Sequence, residues 1–113
     1  MMSYDKWDIV LVPFPFTDLT TTKKRPALII SPEEYNKSGD VIIAFITSNI
    51  HVNPRFGDYL IKEWQRANLP KPSLIRMKFA TIYKEIIIKK LGRLSPFDIE
   101  KFSKILEEFF KTA

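Results

Sequence analysis

The sequence predicts a mainly β fold that ends in a single helix. Short apolar segments rich in β-branched residues recur along the chain, polar stretches without periodicity separate them, and only the C-terminal segment has a clear helical spacing. Five or six short strands joined by polar loops are typical of a small barrel, closed or partly open. The chain has 113 residues, so we expect a single domain over residues 1–113.

Each predicted strand is a short apolar run bounded by turn residues. The third run is apolar almost to its end, so we expect it to be buried on both faces of the sheet. Gly92, in the last run, is expected to mark a bulge or a close approach of the backbone. Residues 32–39 are predicted to form a turn region. The predicted strands cover residues 7–14, 25–31, 40–48, 58–61, 73–83 and 85–94.

The fifth predicted strand alternates in character. Ile75, Met77 and Phe79 fall on one face, which suits a core, whereas Arg76 and Lys78 fall on the other. We therefore expect the two cations to lie side by side on an exposed face, where they would either contact a bound polyanion or form a plain solvated edge.

The C-terminal segment is predicted to be a helix beginning at about Ser95. Ser95 is a favourable N-cap, Pro96 suits the first helical position, and Asp98 complements the helix dipole. Apolar residues at helical spacing follow, and we expect them to pack on the sheet. They are Ile99, Phe102, Ile105, Leu106, Phe109 and Phe110.

Composition excludes several kinds of site. The absence of cysteine excludes disulfides, thiolate nucleophiles and cysteine-based zinc sites. His51 is the only histidine, and no acidic cluster has metal-ligand spacing, so we expect neither a metal nor another cofactor. No apolar run approaches the length of a membrane span, and a cytoplasmic location is compatible with the composition.

The net charge of +5 comes entirely from residues 58–113, which hold twelve Lys or Arg against seven Asp or Glu. This distribution would attract a polyanion, although a charged solubilising surface explains it equally well.

Polar residues at two strand ends suggest a phosphate site. Arg25 begins the second predicted strand, and Thr47 closes the third. If these strands pair antiparallel, both residues meet at one rim, where a guanidinium fork and a hydroxyl can bind phosphate oxygens. The alternative is that Arg25 forms an ion pair with Asp8 or Asp18 and that Thr47 only satisfies the backbone.

The same segments resemble the MazF/PemK family of toxin–antitoxin ribonucleases along nearly the whole chain. Their order and spacing carry the resemblance, rather than any one motif. The matching segments are Asp8-Ile9-Val10-Leu11-Val12, Phe16-Thr17-Asp18-Leu19, Arg25-Pro26-Ala27-Leu28-Ile29-Ile30-Ser31, Ile46-Thr47-Ser48-Asn49, Lys71-Pro72-Ser73-Leu74 and Leu91-Gly92-Arg93-Leu94-Ser95.

This resemblance implies a small SH3-like barrel of the CcdB/MazF/PemK type with a C-terminal helix, usually a homodimer. It implies a metal-independent endoribonuclease, or mRNA interferase, that cleaves single-stranded RNA at a short sequence. Attack by the ribose 2′-hydroxyl would leave a cyclic 2′,3′-phosphate and a 5′-hydroxyl, and a cognate antitoxin would neutralise the toxin. Arg25 and Thr47 match the family's catalytic residues, and residues 16–24 match its active-site loop. The expected RNA-binding residues are Asp18, Lys23, Lys24, Ser48, Arg76 and Lys78.

The chain departs from the family at one place. Many members carry a Gln-x-Arg-Thr pattern on the fifth strand, where this chain reads Lys78-Phe79-Ala80-Thr81. The resemblance therefore implies no particular base specificity. It also identifies no general base, for which Asp18 is a weak candidate. Two alternatives stay open: an RNA-binding homologue that has lost catalysis, and a protein-directed toxin on the same barrel, like the CcdB gyrase poisons.

Overall fold

The computed structural model describes residues 3–14 and 23–111. Six antiparallel strands form one curled sheet in the order β4-β5-β3-β2-β1-β6, so β4 and β6 are its two edges and the described part is a half-barrel. This confirms the predicted mainly β fold with a C-terminal helix. The elements are β1 (Asp8–Pro13), β2 (Lys24–Ile29), α1 (Glu33–Asn36), β3 (Asp40–Thr47), β4 (Tyr59–Leu60), β5 (Leu74–Tyr83), β6 (Lys89–Arg93) and α2 (Pro96–Phe109).

The sheet has a core on each face. On one face, Ala44 and Ile46 of β3 pack in a cluster that includes Phe102 of α2. On the opposite face, Val41 and Ile43 belong to a second cluster, which α2 does not cover. The prediction that the third strand is buried on both faces is therefore confirmed.

Helix α2 begins as the sequence predicts. The Ser95 side chain accepts a hydrogen bond from the Asp98 backbone N–H, and Pro96 occupies the first turn. Phe102 is fully buried, and its ring lies against those of Trp7 and Tyr59, with ring centroids 6.1 and 5.9 Å away. The apolar stripe thus anchors α2 on the sheet.

Asp98 has a larger role than the sequence indicated. Its buried carboxylate accepts hydrogen bonds from the backbone N–H groups of Lys62 and Glu63, at 2.9 and 2.8 Å, and from the Tyr59 hydroxyl. Burial, together with the hydrogen bond from Tyr59 to Asp98, raises the pKa of Tyr59 well above its usual value. Asp98 therefore ties the start of α2 to the segment after β4.

Gly92 lies where the backbone approaches closely, as predicted. A Cβ atom at this position would lie 2.5 Å from the backbone oxygen of Ala67, which no side chain tolerates. The pairing of β1 with β6 also shifts register between Ile9 and Val10, so the expected irregularity is present.

Two predicted segments differ from the structure in more than a terminal residue or two. Within the predicted turn region 32–39, Glu33–Asn36 form one helical turn, and Asn36 is buried. Its amide accepts from the nearby Ser31 hydroxyl and donates to the carbonyl of Tyr4, 32 residues away, and these bonds stabilise the turn. The predicted strand 85–94 begins only at Lys89, because Lys84–Ile86 form a 3-10 turn.

Candidate phosphate-binding site

Strand register brings Arg25 and Thr47 together. Strands β2 and β3 pair antiparallel with Ala27 opposite Phe45, so the same register places Arg25 in line with Thr47. Both residues line one cleft of about 200 Å³ at the rim of the sheet. The predicted pairing, and the meeting of the two residues at one rim, are confirmed. By strand alternation they project from the face opposite α2.

The alternative partner for Arg25 among the described residues is already paired. The buried Asp8 carboxylate forms ion pairs with Lys90 and Arg93, each at 3.2 Å. Arg25 is instead exposed in the cleft. Asp18, the other proposed partner and the candidate general base, lies outside the described residues.

Two aromatic rings form the floor of the cleft. Phe14 and Phe45 meet edge to face, with ring centroids 5.9 Å apart. The Arg25 guanidinium lies 5.1 Å from the Phe14 centroid, and the Lys78 ammonium lies 5.2 Å from that of Phe45. Each ring therefore holds one cation of the cleft by a cation–π contact.

Thr47 is placed by the turn that follows β3. Its hydroxyl oxygen accepts a hydrogen bond from the Asn49 backbone N–H at 3.1 Å, and its proton remains available for a further bond. Thr47 therefore accepts a hydrogen bond from the backbone, as the alternative interpretation expected, and it also lines the cleft. Ser48 is exposed and does not line it.

The two cations of β5 differ in environment. Lys78 is exposed and lines the cleft, as predicted. Arg76 also lines it, but the prediction that Arg76 is an exposed cation is wrong. Its side chain is only 14% exposed and forms an ion pair with Asp58, with a nitrogen–oxygen distance of 2.9 Å. A register shift opposite Phe45 leaves Met77 and Lys78 outside the regular pairing. The roles of Arg76 and Lys78 in RNA binding stay predictions.

Asp58 is held in its charged form. Burial acts to raise the pKa of Asp58, but hydrogen bonds from Arg76 and from the Arg55 backbone N–H, with the charges of both arginines, lower it below its usual value. A stable carboxylate therefore lies directly behind the cleft.

Lys23 and Lys24 stand at the entrance to β2 and are exposed, but neither lines the cleft. Their contact with RNA stays a prediction, as does that of Ser48. The predicted active-site loop, residues 16–24, lies mostly outside the described part of the chain.

Sequence reasoning missed Arg55 and the two aromatic rings. Arg55 is exposed in the loop after β3 and lines the cleft beside Thr47. No periodicity marks a residue in such a loop. Phe45 is part of an apolar strand and was indistinguishable from a core residue, and Phe14 follows a strand without any polar signal.

A larger cavity adjoins the cleft. It has a volume of about 490 Å³ and shares Thr47, Arg55 and Arg76 with the cleft. Its remaining walls come from the loop after β3, and two of them are the amide-bearing Asn49 and Asn53. Together the two cavities form a continuous, positively charged surface around Thr47.

Within residues 3–14 and 23–111, no group of three or more His, Asp or Glu side chains is placed to hold a metal ion. Among the same residues, no helix is long and apolar enough to cross a membrane.

A family model described as "PemK-like, MazF-like toxin of type II toxin-antitoxin system" matches residues 5–110. The chain belongs to this family. No curated protein matches it in sequence. The match spans the whole described fold, including the strands that carry Arg25 and Thr47 and the C-terminal helix.

Solved structures share the fold at low sequence identity. A structure of MazE–MazF from Deinococcus radiodurans contains a chain that matches this one with a TM-score of 0.74 at 15% identity, and the match covers 100% of this chain and 100% of that one. An endoribonuclease in complex with its cognate antitoxin, from a mycobacterial species, has a TM-score of 0.72 at 15% identity and covers 96% of this chain and 93% of that one. The toxin MazF-mt6 of Mycobacterium tuberculosis has a TM-score of 0.68 at 20% identity, covering 91% and 95%. The MazF-type fold is thereby shown.

Proposed function

We propose that this PemK/MazF-family protein is a metal-independent endoribonuclease that cleaves single-stranded RNA at a short sequence and is neutralised by a cognate antitoxin. The observation that carries the proposal is the cleft in which Arg25, Thr47 and Lys78 converge. Solved proteins of the same fold named as endoribonucleases, one of them bound to its cognate antitoxin, support it.

The proposed chemistry uses the substrate as its own nucleophile. The ribose 2′-hydroxyl attacks the adjacent phosphorus, a bond from phosphorus to O2′ forms, and the bond to O5′ breaks. The products are a cyclic 2′,3′-phosphate and a 5′-hydroxyl, the proton of the 2′-hydroxyl being lost and the 5′ oxygen gaining one. This reaction needs RNA, because DNA lacks the 2′-hydroxyl, and it requires no metal-bound water.

The cleft residues then act by charge and position. We assign to Arg25 the stabilisation of the negative charge that develops on the phosphate, since a guanidinium does not release its proton in proteins. Thr47, whose hydroxyl proton is available, would orient a phosphate oxygen. Lys78, which lies over the Phe45 ring, would add a second positive charge. Asp18 is retained as the candidate base.

One assay separates this proposal from its alternatives. Purified protein is incubated with long single-stranded RNA in excess chelator, and the new ends are analysed. We expect cleavage that leaves cyclic phosphate and 5′-hydroxyl ends. Retention of RNA without cleavage would instead favour the non-catalytic RNA-binding homologue, which Ala80 makes a specific alternative: it packs against the core where many relatives carry arginine. Neither cleavage nor retention would favour a protein-directed toxin.

A further inference from the structure

The Asp58–Arg76 ion pair has the geometry of a positioning device. Arg76 donates from Nε to Oδ1 at 3.2 Å and from Nη2 to Oδ2 at 2.9 Å. The two side chains are only 14% and 8% exposed, so water does not compete effectively for either. A bidentate pair of this kind fixes both the position and the plane of the guanidinium.

The same carboxylate also holds the loop that follows β3. Oδ2 of Asp58 accepts a hydrogen bond from the backbone N–H of Arg55 at 2.9 Å. Gly57 makes this turn possible, since its φ is +90° and a Cβ there would lie 2.6 Å from the Met77 side chain. One carboxylate therefore joins two arginine-bearing segments, a loop and a strand.

Both of those arginines face the site. Arg55 and Arg76 line the small cleft with Thr47 and also the larger cavity beside it. A guanidinium has five N–H donors, of which the bidentate pair occupies two, so Arg76 retains three for a ligand. Because Asp58 balances its charge, Arg76 contributes little to the long-range attraction of RNA. It can instead contribute directed hydrogen bonds to a bound phosphate.

We propose that Asp58 is a positioning residue that holds the Arg76 guanidinium, and through the Arg55 backbone the adjoining loop, in the orientation required at the scissile phosphate beside Thr47. This inference rests on the proposed endoribonuclease function. It implies that turnover depends on Asp58 although Asp58 is an anion behind a polyanion-binding cleft.

The test separates turnover from binding in variants of the full chain. Asp58→Asn keeps the shape and removes the charge. We expect kcat to fall by about 10- to 100-fold, the range caused by small misplacements of a catalytic constellation. We expect KM for RNA to stay equal or to fall, and the salt dependence of binding to steepen, because the Arg76 charge is no longer balanced. A merely structural role predicts lost binding and lost turnover in parallel with lost folded protein.

A double-mutant cycle with Arg76→Gln tests the route of the effect. Because the amide oxygen in Asp58→Asn can still accept the hydrogen bond from the Arg55 backbone N–H, an effect that runs through Arg76 should leave kcat changed by less than about threefold in the Arg76→Gln background. Asp40→Asn is the matched control, since Asp40 lies at the opposite end of β3 from Thr47, and it should behave like the unmodified protein. Should Asp58→Asn not fold, Asp58→Glu keeps the charge but displaces the carboxylate, and it should lower kcat with an unchanged salt dependence.

The outcomes are distinct. Failure of the unmodified protein to cleave RNA would overturn the proposed function and this inference with it. Cleavage by the unmodified protein together with an unchanged kcat in Asp58→Asn, or in Asp58→Glu if that is the variant that folds, would overturn the positioning role alone. A full Asp58→Asn effect that persists without Arg76 would show that Asp58 does not act through this arginine.

Discussion

Replacement of Phe14 by leucine tests whether the aromatic pair positions Arg25. The Phe14 ring lies 5.1 Å from the guanidinium and 5.9 Å from the Phe45 ring, so it is the surface on which the arginine rests. Leucine preserves an apolar side chain but removes the ring face that attracts a cation. The charge of Arg25 would remain in the cleft, with a broader range of orientations.

The size of the effect follows from the contact. An exposed cation–π contact contributes about 0.5–1 kcal/mol and a desolvated one about 2 kcal/mol. Arg25 is exposed, so we take about 1 kcal/mol, which corresponds to roughly a fivefold loss in kcat. Complete removal of the guanidinium by Arg25→Ala should cost about 10²–10³-fold, the range for one preorganised charge-stabilising donor. Arg25→Lys should not restore the rate, because a point charge cannot replace the bidentate fork.

The assay is single-turnover cleavage of one RNA oligonucleotide, with thermal unfolding measured on each variant. Phe97→Leu is the matched control, because Lys62 and Lys101 lie 5.1 and 5.6 Å from that ring at the start of α2, away from the cleft. We expect the cleavage rate to be highest for the unmodified protein and Phe97→Leu, lower for Phe14→Leu and lowest for Arg25→Ala. A Phe14→Leu rate equal to that of the unmodified protein would refute the positioning argument.

Phe102→Ala should lower the free energy of unfolding by about 3–5 kcal/mol because the ring is fully buried, and a loss below about 1 kcal/mol in urea unfolding would contradict the packing described. Thr47→Val should lose activity with only a small fall in melting temperature, since the one hydrogen bond it removes is exposed, and a fully active variant would show that the hydroxyl is not needed for cleavage. Lys78→Gln should reduce the salt dependence of RNA binding by about one charge, and Arg76→Gln should reduce it similarly, because it leaves the Asp58 carboxylate unbalanced behind the cleft. The pKa of Asp58 is lowered in the folded protein, so its contribution to stability is present above its ordinary value of 3.8 and is lost as the pH falls through the lower folded value. Asp58→Asn should reduce the loss of stability in that pH range during acid unfolding, and an unchanged curve would contradict this contribution of Asp58. The family resemblance predicts a symmetric dimer with RNA in a shared groove, which a monomer by light scattering at tens of micromolar would contradict.

The pairing of Arg25 with Thr47 was predictable because it depends on local topology. Two consecutive apolar runs separated by a short turn favour an antiparallel pair, and antiparallel pairing brings the start of one strand to the end of the next. The helix from Ser95 was predictable for a similar reason, since its cap and apolar spacing are encoded within one segment. Such features need no knowledge of distant contacts.

The environment of Arg76 was not predictable from alternation along β5. Its burial depends on Asp58, 18 residues away, and on a register shift opposite Phe45 that no residue type announces. Lys78 lies two residues further along the same strand and remained exposed, as the alternation indicated. The same sequence pattern therefore gave two cations with different roles, because long-range pairing rather than periodicity decides which one is balanced.

The short helix α1 has one local signal in the sequence. Glu33 and Glu34 occupy its first turn, where acidic residues favour helix formation. An isolated single turn is unstable in itself, and the buried Asn36 amide, bonded to Ser31 and Tyr4, stabilises it. Contacts at a sequence separation of 32 residues cannot be read from local propensity.

The most direct test of the proposed chemistry is cleavage of an RNA oligonucleotide that carries a single deoxyribose at the cut position. The substrate differs from the normal one only in the 2′-hydroxyl, so binding, cleft charge and sequence are kept constant. The 2′-hydroxyl mechanism predicts that this oligonucleotide binds but is not cut at that position, in the presence of chelator, while the all-ribose control is cleaved. Cleavage of the deoxy substrate at a normal rate would show that the nucleophile is not the ribose, and the roles proposed for Arg25 and Thr47 would then be wrong.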